Sequence, residues 1–307
     1  MYFCSVNKGI IYIVLSGFCF LVVNFFVKIL GAGPDQDLIS DVQVYPGHEL
    51  VLARSIVTFV ISWGIIRYRG ISMWGVNKKW LIIRGATGTI ALTIFFYTIH
   101  HMPLAIAIVV QNLSPIFTVI MAIFLLKERV RVLQWFFIIM SFVGVLMIAY
   151  DQFRHSDANF EEISFFWLGM GIVSAFFSGI AYTAIMKLRP TDSPIVIVMY
   201  FPMVSIPLMV FLSFYEFTVP QGIEWLILLV IGIFTQFAQI LMTKALHEGT
   251  AATITPFQYI SVIYAFLVGY FFFGEQLSWL VDAGIAIVLI GVLSNALIRA
   301  RFQKRSN

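Results

Sequence analysis

The sequence predicts an all-α membrane protein with ten transmembrane helices arranged as two inverted five-helix repeats. Three observations lead to this prediction: a composition that is 61% hydrophobic and only 11% charged, a series of ten apolar spans, and an internal match between the two halves. Soluble proteins carry about 25% charged residues. A mean hydropathy of +0.96 therefore indicates that the lipid bilayer surrounds much of the chain, and it excludes a soluble enzyme with a large core.

The ten apolar stretches follow one another with short connections. A helix that crosses the hydrocarbon core needs about 20 residues, so a chain of 307 residues has no room left for a sizeable soluble domain. Every backbone polar group in lipid has to be bonded internally, and the stretches show no period-2 alternation, which favours helices over barrel strands. The predicted spans, in chain order, are 9–30, 48–68, 80–98, 103–126, 133–150, 164–186, 194–214, 223–246, 250–273 and 279–298.

The start of the chain resembles a secretory signal, because Lys8 precedes an apolar run. The run is long enough to span a membrane and no Ala-x-Ala pattern follows it, so we expect it to be retained as helix 1. Cys4 and Cys19 are the only cysteines and offer neither a disulfide framework nor a thiolate metal site. We expect no metal and no cofactor.

Lysine and arginine accumulate in cytoplasmic loops, so their distribution predicts the orientation. With the N-terminus in the cytoplasm, sixteen of the 19 lysines and arginines lie on the cytoplasmic side, and only Lys28, Arg54 and Arg154 lie outside. Arg84, near the cytoplasmic end of helix 3, fits this rule without a further role. The net charge of +4 is then a topology signal and predicts no nucleic-acid partner. We expect both termini in the cytoplasm and the protein in a bacterial inner membrane.

Internal repetition determines the architecture. Residues 84–150 match residues 231–297 without a gap, at a shift of 147 positions and with 15 identities in 67 positions. The identities include polar residues within apolar helices, such as Gln111 with Gln258, which composition alone would not produce. The chain therefore consists of two related halves.

The two halves have opposite orientations because each contains an odd number of helices. The loop charges agree with this inversion, since Lys127 in the first half corresponds to Gly274 in the second. We predict one repeat at residues 1–151 and the other at residues 160–307.

Short motifs are spaced along nearly the whole chain. They are His48-Glu-Leu-Val-Leu-Ala-Arg54, Arg84-Gly85, Ser114-Pro115, Leu126-Lys-Glu128-Arg129 and, in the second half, Phe273-Gly-Glu275-Gln276. With these motifs the chain resembles the drug/metabolite transporter superfamily, and within it the EamA-like transporters with two EamA domains. The second half departs from the first at Pro202, which stands where an arginine would match Arg54, so the halves are not chemically equivalent.

The resemblance implies a secondary transporter that moves a small polar metabolite by alternating access. Amino acids or their derivatives are the first expected substrates and organic anions the second. Two other classes of protein are alternatives: an intramembrane lipid-modifying enzyme and a non-transporting membrane scaffold. No His-Glu-x-x-His or Gly-x-Ser-x-Gly motif supports catalysis, so we expect no catalytic residues and no enzyme. By analogy, helices 5 and 10, on which Gly144 and Gly291 lie, allow a homodimer.

Polar stripes on helices 4 and 9 are the first candidates for substrate binding. Gln111 and Ser114 share a face of helix 4, and Gln258 and Ser261 share the matching face of helix 9. Such faces either line a water-filled path or bond to neighbouring helices. For the glutamines we favour the path, because the repeat places both near a shared axis; for the serines neither interpretation is favoured.

Four further residues complete the predicted site. Asn24 on helix 1 and Tyr182 on helix 6 occupy corresponding positions, and Gln236 is polar within the apolar helix 8; each either contacts substrate or bonds to a neighbour. Arg54 lies about a third of the way into helix 2, where a charge is costly. We favour a buried role for Arg54, paired with Glu49 or with a substrate carboxylate, over snorkelling to the surface.

The sequence also bears on energy coupling and on moving parts. The acidic residues nearest the membrane, such as Glu49 and Glu128, lie close to helix ends, whereas proton-driven carriers usually hold a carboxylate within the membrane. We therefore expect facilitated diffusion or exchange. Pro115 in helix 4 and Pro256 in helix 9 remove backbone hydrogen bonds beside the polar stripes and predict kinks there.

Overall fold

A computed structural model of the chain is helical, and none of the residues that it describes lies in a β-strand. The described residues are 2–31, 43–101, 107, 110–155, 165–214, 217–261, 263–264 and 278–303. The helices are α1 (Tyr2–Gly31), α2 (Gly47–Arg69), α3 (Lys78–His101), α4 (Ser114–Leu126), α5 (Val132–His155), α6 (Phe165–Leu188), α7 (Pro194–Ser213), α8 (Glu224–Glu248), α9 (Ala251–Ile254) and α10 (Trp279–Gln303).

Six of these helices, α1–α3 and α6–α8, are long and apolar enough to cross a membrane. Helices α4, α5 and α10 contribute shorter apolar stretches. Large apolar side chains such as Phe136, Ile139 and Leu293 point away from the protein, as lipid-facing side chains do. The chain is therefore a multi-pass membrane protein. The count of ten crossings and the inversion of the halves stay predictions.

The two predicted kinks coincide with interruptions of regular helix. The chain forms a turn at 112–113 and α4 begins immediately after it, with Pro115 in its first turn. Pro256 lies in a 3₁₀ helix, Thr255–Tyr259, that follows α9. Proline lacks the N–H that would continue the hydrogen-bond ladder, which explains both interruptions. Most of predicted helix 9 beyond residue 264 lies outside the described residues.

The pattern of helix contacts is the same when the two halves of the chain are exchanged. Helix α1 packs along α8, and α6, its counterpart, packs along α3. Helix α3 contacts α7 just as α8 contacts α2. Helix α2 contacts α7, and α5 contacts α10, so these two pairs are their own counterparts. The contacts that form the centre therefore join helices of different halves.

Matched glycines bring the central helices together. A Cβ atom on Gly85 of α3 would lie 2.6 Å from the carbonyl oxygen of Tyr200 on α7. At Gly232 of α8, the residue aligned with Gly85, a Cβ atom would overlap the side chain of Val57 on α2. Close approach of this kind replaces the hydrophobic driving force that is missing between helices in lipid.

A buried carboxylate ties the chain together at the face where α2 begins. Glu224 of α8 accepts hydrogen bonds from the backbone N–H groups of Gln43 (2.7 Å) and Gln221 (2.6 Å) and from the hydroxyl of Tyr45. Burial, followed by this bond to Glu224, raises the pKa of Tyr45 well above its ordinary value, so the phenol stays protonated and keeps donating. We call this group the Glu224 clasp.

A second buried carboxylate lies at the opposite face, where α2 ends and α3 begins. Asp192, just before α7, accepts hydrogen bonds from the backbone N–H groups of Val76 (2.6 Å) and Asn77 (3.2 Å) and from the hydroxyl of Thr191 (2.7 Å). We call this group the Asp192 clasp. Each clasp joins a connecting segment of the first half to the second half.

The glycines that suggested a homodimer are used within one chain. A Cβ atom on Gly144 of α5 would lie 2.7 Å from the carbonyl oxygen of Gly284 on α10. One on Gly291 of α10 would lie 3.0 Å from the carbonyl oxygen of Phe137 on α5. The homodimer stays a prediction, and it would need other faces of α5 and α10.

We predict that Gly85→Ala destabilises the protein. The added methyl group would overlap the backbone of α7, and overpacking of this kind costs about 1–3 kcal/mol. Gly64→Ala on α2 is the matched control, because no atom lies within 4 Å of its added Cβ. Thermal unfolding in one detergent should show a lower Tm for Gly85→Ala and an equal or higher Tm for Gly64→Ala. Equal Tm values for both variants and the native protein would contradict the close packing of α3 on α7.

Candidate functional site

Two arginines are buried at the centre of the protein. Arg54 on α2 and Arg84 on α3 are each 2% exposed, so Arg54 does not snorkel to the surface. Their guanidinium carbons lie 5.5 Å and 5.7 Å from the centroid of one aromatic ring, that of Phe201 on α7. Both charges therefore converge on the same place between the two halves.

The two guanidinium groups form few hydrogen bonds with the described residues. Arg84 donates from Nη2 to Oε1 of Gln239 on α8, at 2.9 Å. The Nε atoms of Arg54 and Arg84 have no hydrogen-bond partner among the described residues. In the part of the chain that the structure describes, the titratable groups that interact with Arg54 electrostatically are Arg84 and Tyr182, and neither carries a negative charge. Arg54, Arg84, Tyr182, Phe201 and Gln239 form what we call the arginine cluster.

Glu49, considered as a partner of Arg54 from the sequence, is not one. Its carboxylate is buried at the start of α2, where Oε1 accepts a hydrogen bond from the backbone N–H of Thr218 at 2.8 Å. It is not among the groups that act on Arg54. The remaining interpretation of Arg54 is a role toward a bound anion.

The energetic balance of the arginine cluster favours an anion. Insertion of an arginine at the centre of a bilayer costs about 3 kcal/mol. A cation–π contact offsets about 0.5–2 kcal/mol of this cost, and the amide of Gln239 stabilises Arg84 alone. A negative charge placed between the guanidinium groups would supply what the described protein groups do not.

Gln111 and Gln258, equivalent in the sequence, have different surroundings. Gln111 donates from Nε2 to Oγ of Ser178 on α6 and accepts at Oε1 from Oγ of Ser174, both at 2.9 Å. Gln111 therefore joins the residues before α4 to α6, as in the packing interpretation. The Nε2 atom of Gln258 is buried and has no partner among the described residues, so only the second glutamine offers a free donor.

Apart from Tyr182, the other predicted residues form no hydrogen bond with the arginine cluster among the described contacts. Gln236 donates to Oγ of Ser62 on α2 at 2.8 Å, a contact between helices. Ser261 donates to the carbonyl oxygen of Gln258 at 2.6 Å, within its own helical turn. Ser114 is 4% exposed at the start of α4, and Asn24 is partly exposed on α1. Their role in binding stays a prediction.

The sequence interpretation missed Arg84 and Phe201. The positive-inside rule placed Arg84 near the cytoplasmic end of helix 3 with no further role, and it did not predict that the side chain is buried. A signal was available in the glycine one helical turn further on, since the guanidinium of Arg84 lies against Gly88. Phe201 is one of 31 phenylalanines and carried no such signal.

Comparison with known proteins shows which family the sequence is similar to. The sequence pattern described as the EamA-like transporter family matches residues 7–150 and again residues 165–297. The pseudopaline exporter CntI of Pseudomonas aeruginosa is 27% identical over 290 residues, which cover 94% of this chain and 95% of the exporter.

Other similar proteins also match over most of this chain. Solute carrier family 35 member G1 of Homo sapiens is 27% identical over 305 residues, covering 96% of this chain and 80% of the carrier. The riboflavin transporter of Vibrio cholerae is 22% identical over 293 residues, covering 93% and 91%. A crystal structure with a TM-score of 0.73 and 17% identity covers 94% of this chain and 98% of the solved one, and it shows a shared fold.

We predict opposite outcomes for the two glutamines in a stability measurement. Gln111→Ala removes two hydrogen bonds between helices and should lower the free energy of unfolding by about 1–3 kcal/mol. Gln258→Ala removes an amide with an unpartnered donor and should not lower it. Denaturant unfolding in the same detergent compares the two variants. An equal loss in both would mean that the amide of Gln258 is bonded as firmly as that of Gln111.

Proposed function

The chain belongs to the EamA-like transporter family, within the drug/metabolite transporter superfamily, and on that premise we propose which kind of transporter it is. It is a secondary transporter that moves a small polar metabolite across the inner membrane by alternating access, and this metabolite is an amino acid or derivative, or an organic anion. Both termini lie in the cytoplasm in this proposal, as the distribution of lysine and arginine predicts.

The observation that carries the proposal is the arginine cluster. Its residues come from α2 and α3 of the first half and from α6, α7 and α8 of the second. Carriers built from repeats bind substrate near the middle of the membrane, where the repeats meet. Ionisable residues at such a place mark a substrate path more often than a packing contact.

Alternating access is supported by the two clasps. The Glu224 clasp and the Asp192 clasp close opposite faces of the protein, and each joins the two halves through hydrogen bonds to a carboxylate. In an inverted pair of repeats, rocking of one half against the other would open one clasp while the other stays closed. The clasps are then the gates of the carrier.

Exchange is the mode of coupling that fits the arginine cluster. An empty carrier would have to change conformation with two buried cations that no described acid compensates, whereas a loaded carrier would change conformation with the charges paired. The conformational step is therefore easier with substrate bound, which favours exchange over net flow.

The relatives do not identify the substrate. Two of the relatives are named as transporters of pseudopaline and of riboflavin, which are different compounds. These relatives are 27% and 22% identical to this chain. The competing classes, a lipid-modifying enzyme and a membrane scaffold, have no counterpart in the names of these relatives. They remain as outcomes of the transport experiment.

The test of the proposal is transport by purified protein in liposomes. Vesicles are loaded with a metabolite extract and incubated with a labelled copy of the same extract, and both compartments are analysed by mass spectrometry. A carrier moves one class of compound unchanged. If it exchanges, labelled compound enters loaded vesicles faster than empty ones. A chemically altered product would support the enzyme, and neither flux nor product would support the scaffold.

We predict that Arg54→Met slows transport but stabilises the empty protein. Removal of an uncompensated buried charge in favour of an apolar side chain of similar length should raise the free energy of unfolding by about 1–4 kcal/mol. Transport should fall at least about tenfold, because the substrate loses a charged hydrogen bond. Liposome flux and thermal unfolding measure the two effects.

Arg129→Gln is the control, because Arg129 is an exposed cation beyond the end of α4. It should leave both transport and Tm unchanged. A lower Tm together with lower flux in Arg54→Met would contradict the account, since it would mean that Arg54 has a structural partner within the protein.

A further inference from the structure

The arginine cluster holds two positive charges around a single ring. Because the guanidinium carbons of Arg54 and Arg84 lie 5.5 Å and 5.7 Å from the centroid of Phe201, they are separated by no more than the sum of these distances. Each guanidinium keeps a buried Nε without a partner among the described residues. One small molecule between the helices would therefore reach both cations.

The charge of the cluster is larger than one carboxylate would compensate. Among the described residues, Arg84 and Tyr182 interact electrostatically with Arg54. Tyr182 also favours the charged form of Arg84. Tyr182 is a phenol and Gln239 a neutral amide, so neither supplies a negative charge. A monoanion would leave one of two mutually repelling cations unpaired, at the cost of a buried charge.

Resting on the proposed function, we propose that the substrate is a small organic dianion with two separate carboxylates, one bound by Arg54 and the other by Arg84. A planar guanidinium binds a carboxylate through two parallel hydrogen bonds, which gives the pair geometric specificity. The ring of Phe201 lies beside both guanidinium groups and packs against the carbon chain that separates the carboxylates.

The cluster also selects against a substrate ammonium group. Among the described residues no carboxylate interacts with Arg54 or Arg84, so a positive group on the substrate would add to two existing cations. The dianion is therefore a dicarboxylate without an amino group, and an acidic amino acid of the same length binds more weakly. Of the two substrate classes that the sequence predicts, the organic anions are favoured.

The experiment measures binding to the full-length protein in lipid nanodiscs by titration calorimetry. The probes are the dicarboxylates from malonate to adipate, monomethyl succinate, aspartate and glycerol 3-phosphate. The variants are Arg54→Gln and Arg84→Gln. Lys244→Gln is the control, since it removes an exposed charge on α8 that contacts the ring of Tyr12.

The native protein and Lys244→Gln should bind the best dicarboxylate of the series at least about tenfold more tightly than the monomethyl ester and than aspartate, the difference expected for one charged contact. Each arginine variant should lose this discrimination between dicarboxylate and monoester. Arg84→Lys keeps the charge but not the paired hydrogen bonds, so it should retain part of this discrimination. Partial retention shows that the loss in Arg84→Gln is not misfolding.

Three results would overturn the inference. They are an absence of binding by every dicarboxylate of the series, equal binding of dicarboxylate and monoester by the native protein, and unchanged discrimination in both arginine variants. Tighter binding of glycerol 3-phosphate than of every dicarboxylate would also overturn it, because one phosphate group would then satisfy both arginines.

Liposome flux, measured in parallel, separates this inference from the proposed function. Transport of a neutral or monoanionic metabolite alone would leave the carrier in place and reject the dicarboxylate. Arginine-dependent binding of a dicarboxylate without movement of any compound would support the chemistry of the cluster and reject the carrier.

Discussion

Two buried cations without a described counter-ion constrain the rest of this structure. Arg54 and Arg84 lie in the part of the chain where a charge is most costly, and their contacts with Phe201 and Gln239 offset only part of that cost. In our proposal a bound substrate anion supplies the remainder. The glycine contacts that bring α3 against α7 and α8 against α2 hold the cluster between the halves, and a carboxylate clasp closes the protein on each side of it.

The scaffold is repeated, whereas the site is not. Helix contacts are preserved when the halves are exchanged, and Gly85 corresponds to Gly232 in both sequence and packing. The arginines have no such counterparts, since the shift of 147 positions places Phe201, the residue before Pro202, at Arg54 and Ile231 at Arg84. Both charges thus come from the first half and face neutral groups of the second. In our proposal the repeated frame allows two states of the carrier, while the asymmetric site allows one orientation of the ligand.

The sequence predicts the helices well because their signal is local. Apolar runs of sufficient length define α2 and α7 to within a residue at each end. Partners on other helices are a different matter. Gln111 and Gln258 stand in matching motifs, but α6 presents Ser174 and Ser178 to the first. At the corresponding places α1 carries Ser16, which donates to the carbonyl oxygen of Ala238, and Phe20. Arg84 was missed for a similar reason, because a cation near a helix end has the same local signature whether it faces water or a neighbouring ring.

The most direct test of the central claim is an experimental structure of the protein in lipid nanodiscs with a saturating dicarboxylate such as succinate. The account predicts density for the ligand beside Phe201, with one carboxylate within hydrogen-bond distance of Arg54 and the other within hydrogen-bond distance of Arg84. Arginines paired with carboxylates of the protein itself, and ligand density elsewhere or absent, would contradict it.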